Sequence, residues 1–205
     1  MEKLSSEKRT EILVAAMKLF SEKGFERTTV DEIAAQANVG KGTIYLYFEN
    51  KERIFIAIIE DGLAEFYRLI EESINSANNY MQGIYNIINV QLQFIENHKD
   101  FYQIFIKERF SLNLGEYKKP SDYIKEVHQK LQQMTTNYLQ KCIDSGLLRQ
   151  LDPKELYWAL SGITAHFAFN WLMESQSGSL LEKSNIIKEI FLYGAGNQIV
   201  SSDEK

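Results

Sequence analysis

Thr28-Thr29-Val30-Asp31-Glu32-Ile33-Ala34-Ala35-Gln36-Ala37-Asn38-Val39-Gly40-Lys41-Gly42-Thr43-Ile44-Tyr45-Leu46-Tyr47-Phe48 holds two short helices and the turn between them. Thr29 and Glu32 stand three apart, the spacing of a capping box, in which each side chain bonds the other residue's amide. Ile33, Ala34 and Ala37 form the apolar side of the helix they open, which stops at Asn38. Ala34 is small where two helices must pass closely. Asn38 stands where a tight turn needs a left-handed residue, a conformation that asparagine tolerates better than most. A third helix then runs through 39–48. At 100° per residue, Ile44 and Phe48 share one side of it and face inward. Gly42, Leu46 and Thr43 lie opposite, with Tyr45 and Tyr47 on the flanks and Lys41 in the first turn. Two short helices at a tight turn read as a helix-turn-helix.

The same helical period extends outward in both directions. Ser5 and Ser6 are expected to cap a first helix carrying Ile12, Ala15, Ala16 and Leu19 at intervals of three and four, which Gly24 ends. Asn50 caps a fourth helix of about 25 residues, about 37 Å long at 1.5 Å per residue. Ile84 to Ile95 and Phe101 to Phe105 mark a fifth and a sixth. Asn113-Leu114-Gly115 breaks the chain, and Ser121 opens a seventh that ends at Gly146. Asp152-Pro153-Lys154-Glu155 starts an eighth, with an acceptor at the N-cap and proline at the first helical position. Ser179-Leu180-Leu181-Glu182 reads as a second capping box opening a ninth. No segment alternates like a strand for more than a few residues. The expected fold is all-α, about nine helices, with a domain at 1–50 that carries the helix-turn-helix and a helical bundle at 51–205.

Composition narrows the function. Only two prolines occur in 205 residues, as long helices require. One cysteine excludes an intramolecular disulfide framework, and three scattered histidines have no metal-ligand spacing. No metal or other cofactor is expected. No Ser/His/Asp set, phosphate loop or carboxylate pair on one helix face points to an enzyme. The N-terminus lacks an apolar signal region, and the most apolar stretch, 157–173, is short and polar for a membrane span. A cytoplasmic protein without a membrane partner is expected. The net charge is −5, but residues 1–53 carry nine cationic and nine acidic side chains and are neutral. Affinity for DNA must therefore come from placed contacts rather than bulk charge.

The third helix has the chemistry such contacts need. Small residues at its start admit a groove floor, short or apolar groups meet base edges, and flanking hydroxyls and cations meet phosphates. The helix starts at Thr28–Thr29 and at Lys51 can each receive a phosphate. Residues 6–55 resemble the DNA-binding domain of the tetracycline-repressor family of bacterial regulators. The resemblance is carried by Ala15, Ala16, Leu19, Phe20, Gly24, Phe25, Thr28, Thr29, Val30, Ile33, Ala34, Ala37, Val39, the run Gly40 to Phe48, and Asn50-Lys51-Glu52. Asn38 stands where many members have glycine. The resemblance implies DNA contacts at Thr29, Lys41, Thr43, Tyr45, Tyr47 and Lys51, and further ones at Thr28, Gly40, Gly42 and Leu46. It also implies a homodimer that binds a near-palindromic operator and regulates transcription, most often as a repressor released by a small molecule.

Beyond residue 55 the likeness is one of length and helical pattern. An apolar or amphipathic effector is expected among Phe66, Phe94, Phe105, Tyr123, Tyr138, His166 and Phe167, each of which reads equally as plain core. Lys107-Glu108-Arg109 is either an anchor for an anionic ligand head, through Arg109, or a solvated turn. The eighth helix is apolar nearly all round, which marks it as buried or shared. Ala159, Gly162, Ala165 and Phe169, with Ile187, Ile190, Phe191 and Gly194 on the ninth, form a candidate dimer face. The competing reading is a helical small-molecule-binding protein without a DNA-binding role.

Overall fold

A computed structural model of the chain describes residues 2–111, 122–174 and 178–195, with side chains at 7–106, 125–174 and 178–194. Among these residues there is no β-strand. The helices are α1 (Glu2–Lys23), α2 (Val30–Gln36), α3 (Lys41–Tyr47), α4 (Lys51–Asn75), α5 (Tyr80–Asn97), α6 (Lys99–Ser111), α7 (Asp122–Asp144), α8 (Pro153–Met173) and α9 (Ser184–Ala195), with one 3-10 turn at Leu180–Lys183. The all-α expectation holds.

The helix ends mostly follow the residues expected to set them. Gly24 ends α1 at φ 85°, with its amide on the Phe20 carbonyl at 3.0 Å. The Asn50 carboxamide accepts from the Arg53 amide at 2.8 Å. Asp152 accepts from the Lys154 amide at 2.8 Å ahead of Pro153. Two caps differ from expectation. α1 already begins at Glu2, so Ser5 and Ser6 lie within its first turns rather than before them. Ser179 caps the 3-10 turn by accepting from the Leu181 amide. The carboxylate that completes this cap comes from Glu96 of α5, which takes the Ser179 hydroxyl at 3.0 Å and the Leu181 amide at 3.2 Å. Glu182 does not serve there, and the ninth helix proper starts four residues later than the sequence suggests. Lys107, Glu108 and Arg109 continue α6 rather than forming a turn.

The chain divides into two compact units: residues 1–64 with 98–125, and residues 65–97 with 126–205. In the first unit, Ile12, Ala16, Phe20, Ile33, Ile44 and Ile54 make a core that is almost wholly closed to solvent. Phe20, Phe25 and Phe55 meet around it with ring centroids 5.1–5.6 Å apart, close to the tilted geometries aromatic quadrupoles favour. Arg9 of α1 donates to both carboxylate oxygens of Asp61 on α4, at 2.7 and 3.3 Å. In the second unit, Ile84, Ile87, Ile88 and Leu92 of α5 are fully buried, as are Leu139, Cys142, Leu180 and Ile187. α5 packs on α8, α9 and the 3-10 turn. Gly83 is obligatory at its position: an added Cβ would lie 1.7 Å from the Tyr138 hydroxyl. The close approach lets that hydroxyl donate to the Tyr80 carbonyl at 3.1 Å. Burial pushes the Tyr138 phenol up to about 12.

Candidate nucleic-acid interface

The α2–α3 segment is fixed by short-range bonds. The Thr29 hydroxyl accepts from the Glu32 amide at 3.2 Å, and the Glu32 carboxylate accepts from the Thr29 amide at 2.9 Å, so the capping box is complete. Glu32 also takes the Lys23 ammonium at 2.6 Å. That bond and the Thr29 amide hold its carboxyl at about 2, against an ordinary 4.5. Asn38 adopts φ 52°, and the Val39 amide returns to the Ala34 carbonyl at 3.0 Å. α3 starts at Lys41, two residues later than the sequence suggests, behind Gly40 in an extended conformation.

This turn presents α3 with one side in the core and the other in solvent. Ile44 and Phe48 are 1% and 6% exposed, whereas Leu46 is 83% and Tyr45 51% exposed. Gly40, Lys41 and Gly42 are exposed, and Thr43 and Tyr47 half-buried. Nothing lies within 4 Å of where a Gly42 Cβ would stand, so the backbone is open to close approach on that side. An apolar side chain as exposed as Leu46 gains nothing from this fold. A thymine methyl is one group it can cover.

Besides Thr29 in its capping box, three residues expected at the interface are engaged within the protein. Thr28 is 1% exposed, and its hydroxyl donates to the Gly24 carbonyl at 2.9 Å and the Leu19 carbonyl at 3.4 Å. The Lys51 ammonium donates to the carbonyls of Phe25 at 2.7 Å, Thr28 at 2.9 Å and Glu26 at 3.4 Å, and sits 4.2 Å from the Phe25 ring centre. Lys41 reaches Asp31 of α2, with its ammonium 2.9 Å from each carboxylate oxygen. This bond and the charge of Asp31 raise the Lys41 pKa above its ordinary value. The partners of Lys41 and Lys51 were not visible in the sequence, where Asp31 and the Phe25–Thr28 carbonyls carry no distinguishing signal.

The described residues expected around an effector are divided between the two units. Phe66 and Phe94 meet in the second unit with centroids 4.9 Å apart. Phe105 belongs to the first unit and stacks on Phe101 at 5.9 Å. Tyr138 is buried against Tyr80, and Phe167 is half-buried. His166 is exposed and pairs with Asn170, one turn away, at 3.3 Å. The side chains of Arg109 and Tyr123 lie outside the described residues. A cleft of about 440 Å³ opens in the second unit between α4 and α7, with Tyr67, Ile74, Met134 and Tyr138 as its apolar wall and Glu71, Lys130 and Lys141 among its charged groups. Of the expected residues whose side chains are described, only Tyr138 lines it. No group of three or more metal-ligating side chains occurs among the described residues, and no described helix is long and apolar enough to cross a membrane.

α8 and α9 each carry exposed apolar side chains. Ala159, Gly162, Phe169 and Gly194 are exposed, as are Trp158, Met173, Ile186, Ile190 and Tyr193, while Ala165 is half-buried. Ile187 and Phe191, expected on the dimer face, are 0% and 2% exposed and belong to the core of the unit. On α9, positions 186, 190 and 193 point out where 187 and 191 point in. Isoleucines on both sides of α9 hide this division in the sequence.

Comparison with known proteins agrees with this geometry. Residues 12–58 match the family of bacterial regulatory proteins, tetR family. The chain is 26% identical over 199 residues to the fatty acid metabolism regulator protein of Bacillus subtilis, covering 93% of this chain and 97% of that protein. It is 28% identical over 172 residues to the uncharacterized HTH-type transcriptional regulator YhgD of the same organism, covering 82% and 86%. The crystal structure of the transcriptional regulator FadR from Bacillus subtilis in complex with stearoyl-CoA superposes with a TM-score of 0.76 at 25% identity, over 90% of this chain and 98% of that one. These proteins are regulators by name. With a helix-turn-helix head of this geometry and relatives spanning nearly its whole length, the chain is a transcriptional regulator whose residues 12–58 match the tetR family of bacterial regulatory proteins.

Proposed function

We propose that the chain is a ligand-released repressor that binds a near-palindromic operator as a homodimer, with residues 1–50 reading DNA and residues 51–205 pairing the subunits and taking the effector. The observation that carries this reading is α3, with Ile44 and Phe48 in the core and Leu46 83% exposed on the opposite side. Lys41, Thr43, Tyr45 and Tyr47 surround Leu46 and supply the hydroxyls and the cation for phosphates and base edges. Gly40 and Gly42 leave the groove floor room to approach. Thr28, with its hydroxyl held inside, and Lys51, with its ammonium on three carbonyls, act by positioning α2. Thr29 acts through the capping box that sets the start of α2.

The exposed apolar side chains of α8 and α9 support the dimer, since large exposed apolar area marks an interaction surface. A second copy is its occupant in this reading, with Gly162 and Ala159 allowing close approach. His166 lies among these exposed residues and is assigned to that surface rather than to a pocket. Two reading heads on one dimer would enter successive major grooves, which is why the site should be a near-palindrome.

The effector is apolar or amphipathic. The relative that binds stearoyl-CoA makes long-chain acyl thioesters the first compounds to test. A ligand that favours a dimer with misplaced heads lowers DNA affinity, and DNA lowers ligand affinity by the same factor. A thousand-fold release requires about 4 kcal/mol of differential binding across the dimer.

The deciding experiment incubates the dimer with sheared genomic DNA from its source organism and sequences the retained fragments. A shared near-palindrome, released by one class of acyl thioester or amphiphile, is the expected result. A folded, ligand-stripped dimer that enriches no sequence at low salt would overturn the DNA-binding reading and leave a helical small-molecule-binding protein.

A further inference from the structure

Asp31 is an exposed carboxylate on a helix that already has its cap. Glu32 completes the capping box and carries Lys23, so Asp31 is not needed for either task. Its two oxygens instead hold the Lys41 ammonium symmetrically, each at 2.9 Å, with the two side chains 69% and 51% exposed. A DNA phosphate presents the same kind of anionic oxygens to the same ammonium. We propose that Asp31 is a competing anion that occupies Lys41 away from the operator and thereby suppresses binding to DNA of arbitrary sequence. The proposal rests on the reading of α3 as the DNA-contacting helix.

The charge balance makes one such group count. Residues 1–53 carry nine cationic and nine acidic side chains, so the reading head has no excess charge with which to hold random DNA. Lys51 is on backbone carbonyls and Lys23 is on Glu32, whose side chain is 39% exposed. Among these three lysines, Lys41 has the most exposed partner. Exposed ion pairs are worth only about 0–1 kcal/mol, so a phosphate brought close by correct seating of α3 displaces Asp31. A transient contact that leaves α3 unseated does not. Asp31 therefore weakens loose binding more than operator binding.

The test uses Asp31→Asn, Lys41→Met and the double variant on a fluorescent mixed-sequence duplex of about 30 base pairs, from about 50 to about 200 mM salt. Freeing Lys41 adds one phosphate contact per head, steepening the log–log salt slope by about 0.9 per head and about 1.8 per dimer. The affinity of Asp31→Asn relative to the unaltered protein should then grow about 12-fold from the higher to the lower salt. Its ratio of operator to random-sequence affinity should fall. In the Lys41→Met background, the Asp31 change should leave the slope where it was. A slope in Asp31→Asn equal to that of the unaltered protein overturns the proposal, even with lowered thermal stability, because a purely helix-stabilising role for Asp31 would give that result. The same steepening without Lys41 also overturns it, since Asp31 would then act by direct repulsion. If Lys41→Met alone leaves the slope and the operator affinity unchanged, the reading of Lys41 as a DNA contact falls, and with it this proposal.

Discussion

Replacing Lys51 by methionine separates two roles that predict opposite results. If the ammonium meets a phosphate, its loss flattens the salt dependence of DNA binding by about 0.9 per head and leaves the free protein as stable as before. The structure assigns it another role. The ammonium donates to Phe25 and Thr28 at 2.7 and 2.9 Å, and to Glu26 at a longer 3.4 Å, across 23–26 residues of sequence. Hydrogen bonds from a charged donor contribute about 1.5–3 kcal/mol each where water is excluded. Lys51 is half-buried, and the freed carbonyls can turn to water, so roughly half of the value of the two short bonds should survive. The Phe25 ring, 4.2 Å from the ammonium, adds about 0.5–1 kcal/mol. Methionine keeps the apolar stem, so Lys51→Met should cost about 2–4 kcal/mol. For a chain of this size that is a fall in Tm of about 4–16 °C, read by circular dichroism. The salt slope should stay at its original value while operator affinity falls uniformly across salt, because the loop that aims α2 has lost its tie. An unchanged Tm together with a flatter slope would refute the reasoning and return Lys51 to the phosphates.

Other consequences are equally direct. Glu32 has its carboxyl depressed to about 2 from 4.5, first by Lys23 and then by the Thr29 amide. A depressed acid stabilises the folded state above its unfolded value, and that contribution disappears as pH falls from about 4.5 toward 2. Glu32→Gln should therefore lower the urea midpoint at neutral pH and converge with the unaltered protein across that acid window; a pH-independent gap would contradict it. Gly83→Ala places a methyl 1.7 Å from the Tyr138 hydroxyl and 2.4 Å from its Cζ. It should cost about 2–3 kcal/mol in chemical denaturation, and Tyr138→Leu in the same chain should recover part of that loss. The Cys142 thiol is fully closed to solvent, and burial raises it to about 12. It should resist maleimide in the folded protein at pH 8 and react only as the chain opens; rapid native labelling would show that this core is not closed. Ile190, 45% exposed on α9, should tolerate glutamate without loss of helicity. Sedimentation should then show a monomer, with operator affinity down by about a hundredfold or more as the two heads uncouple.

The helix-turn-helix was legible in the sequence because its determinants are local. A capping box spans three residues, and Asn38 sits at φ 52° for reasons confined to one turn. The inward pair Ile44 and Phe48 follows from the angle between neighbours on a short helix. Each of these can be read through a window of ten residues or fewer, and each appears as expected. The failures lie where a partner comes from far along the chain. Ser179 and Glu182 have capping-box spacing, yet the carboxylate that serves Ser179 is Glu96, 83 residues away. Lys51 looks like a free cation at a helix start until the loop 23–26 residues before it is seen to offer its carbonyls.

Apolar helices fail for a different reason. When nearly every side of a helix is apolar, as on α8, periodicity carries no direction; α9 has an apolar side, but isoleucines flank it, and packing decides that Ile187 enters the core while Ile186 and Ile190 stay outside. The aromatic residues of the second unit are equally mute, because a phenylalanine that lines a ligand site and one that fills a core bury the same surface. The reading head and the effector-taking region therefore differ in how much their sequences disclose. Recognition of DNA demands an exposed helix with a fixed register, which local rules write into consecutive residues. Recognition of an apolar ligand demands only that some helices leave space between them, and that space belongs to no stretch of sequence. For this chain the operator can be sought from α3 outward, whereas the effector must be sought by binding, starting from the acyl thioesters.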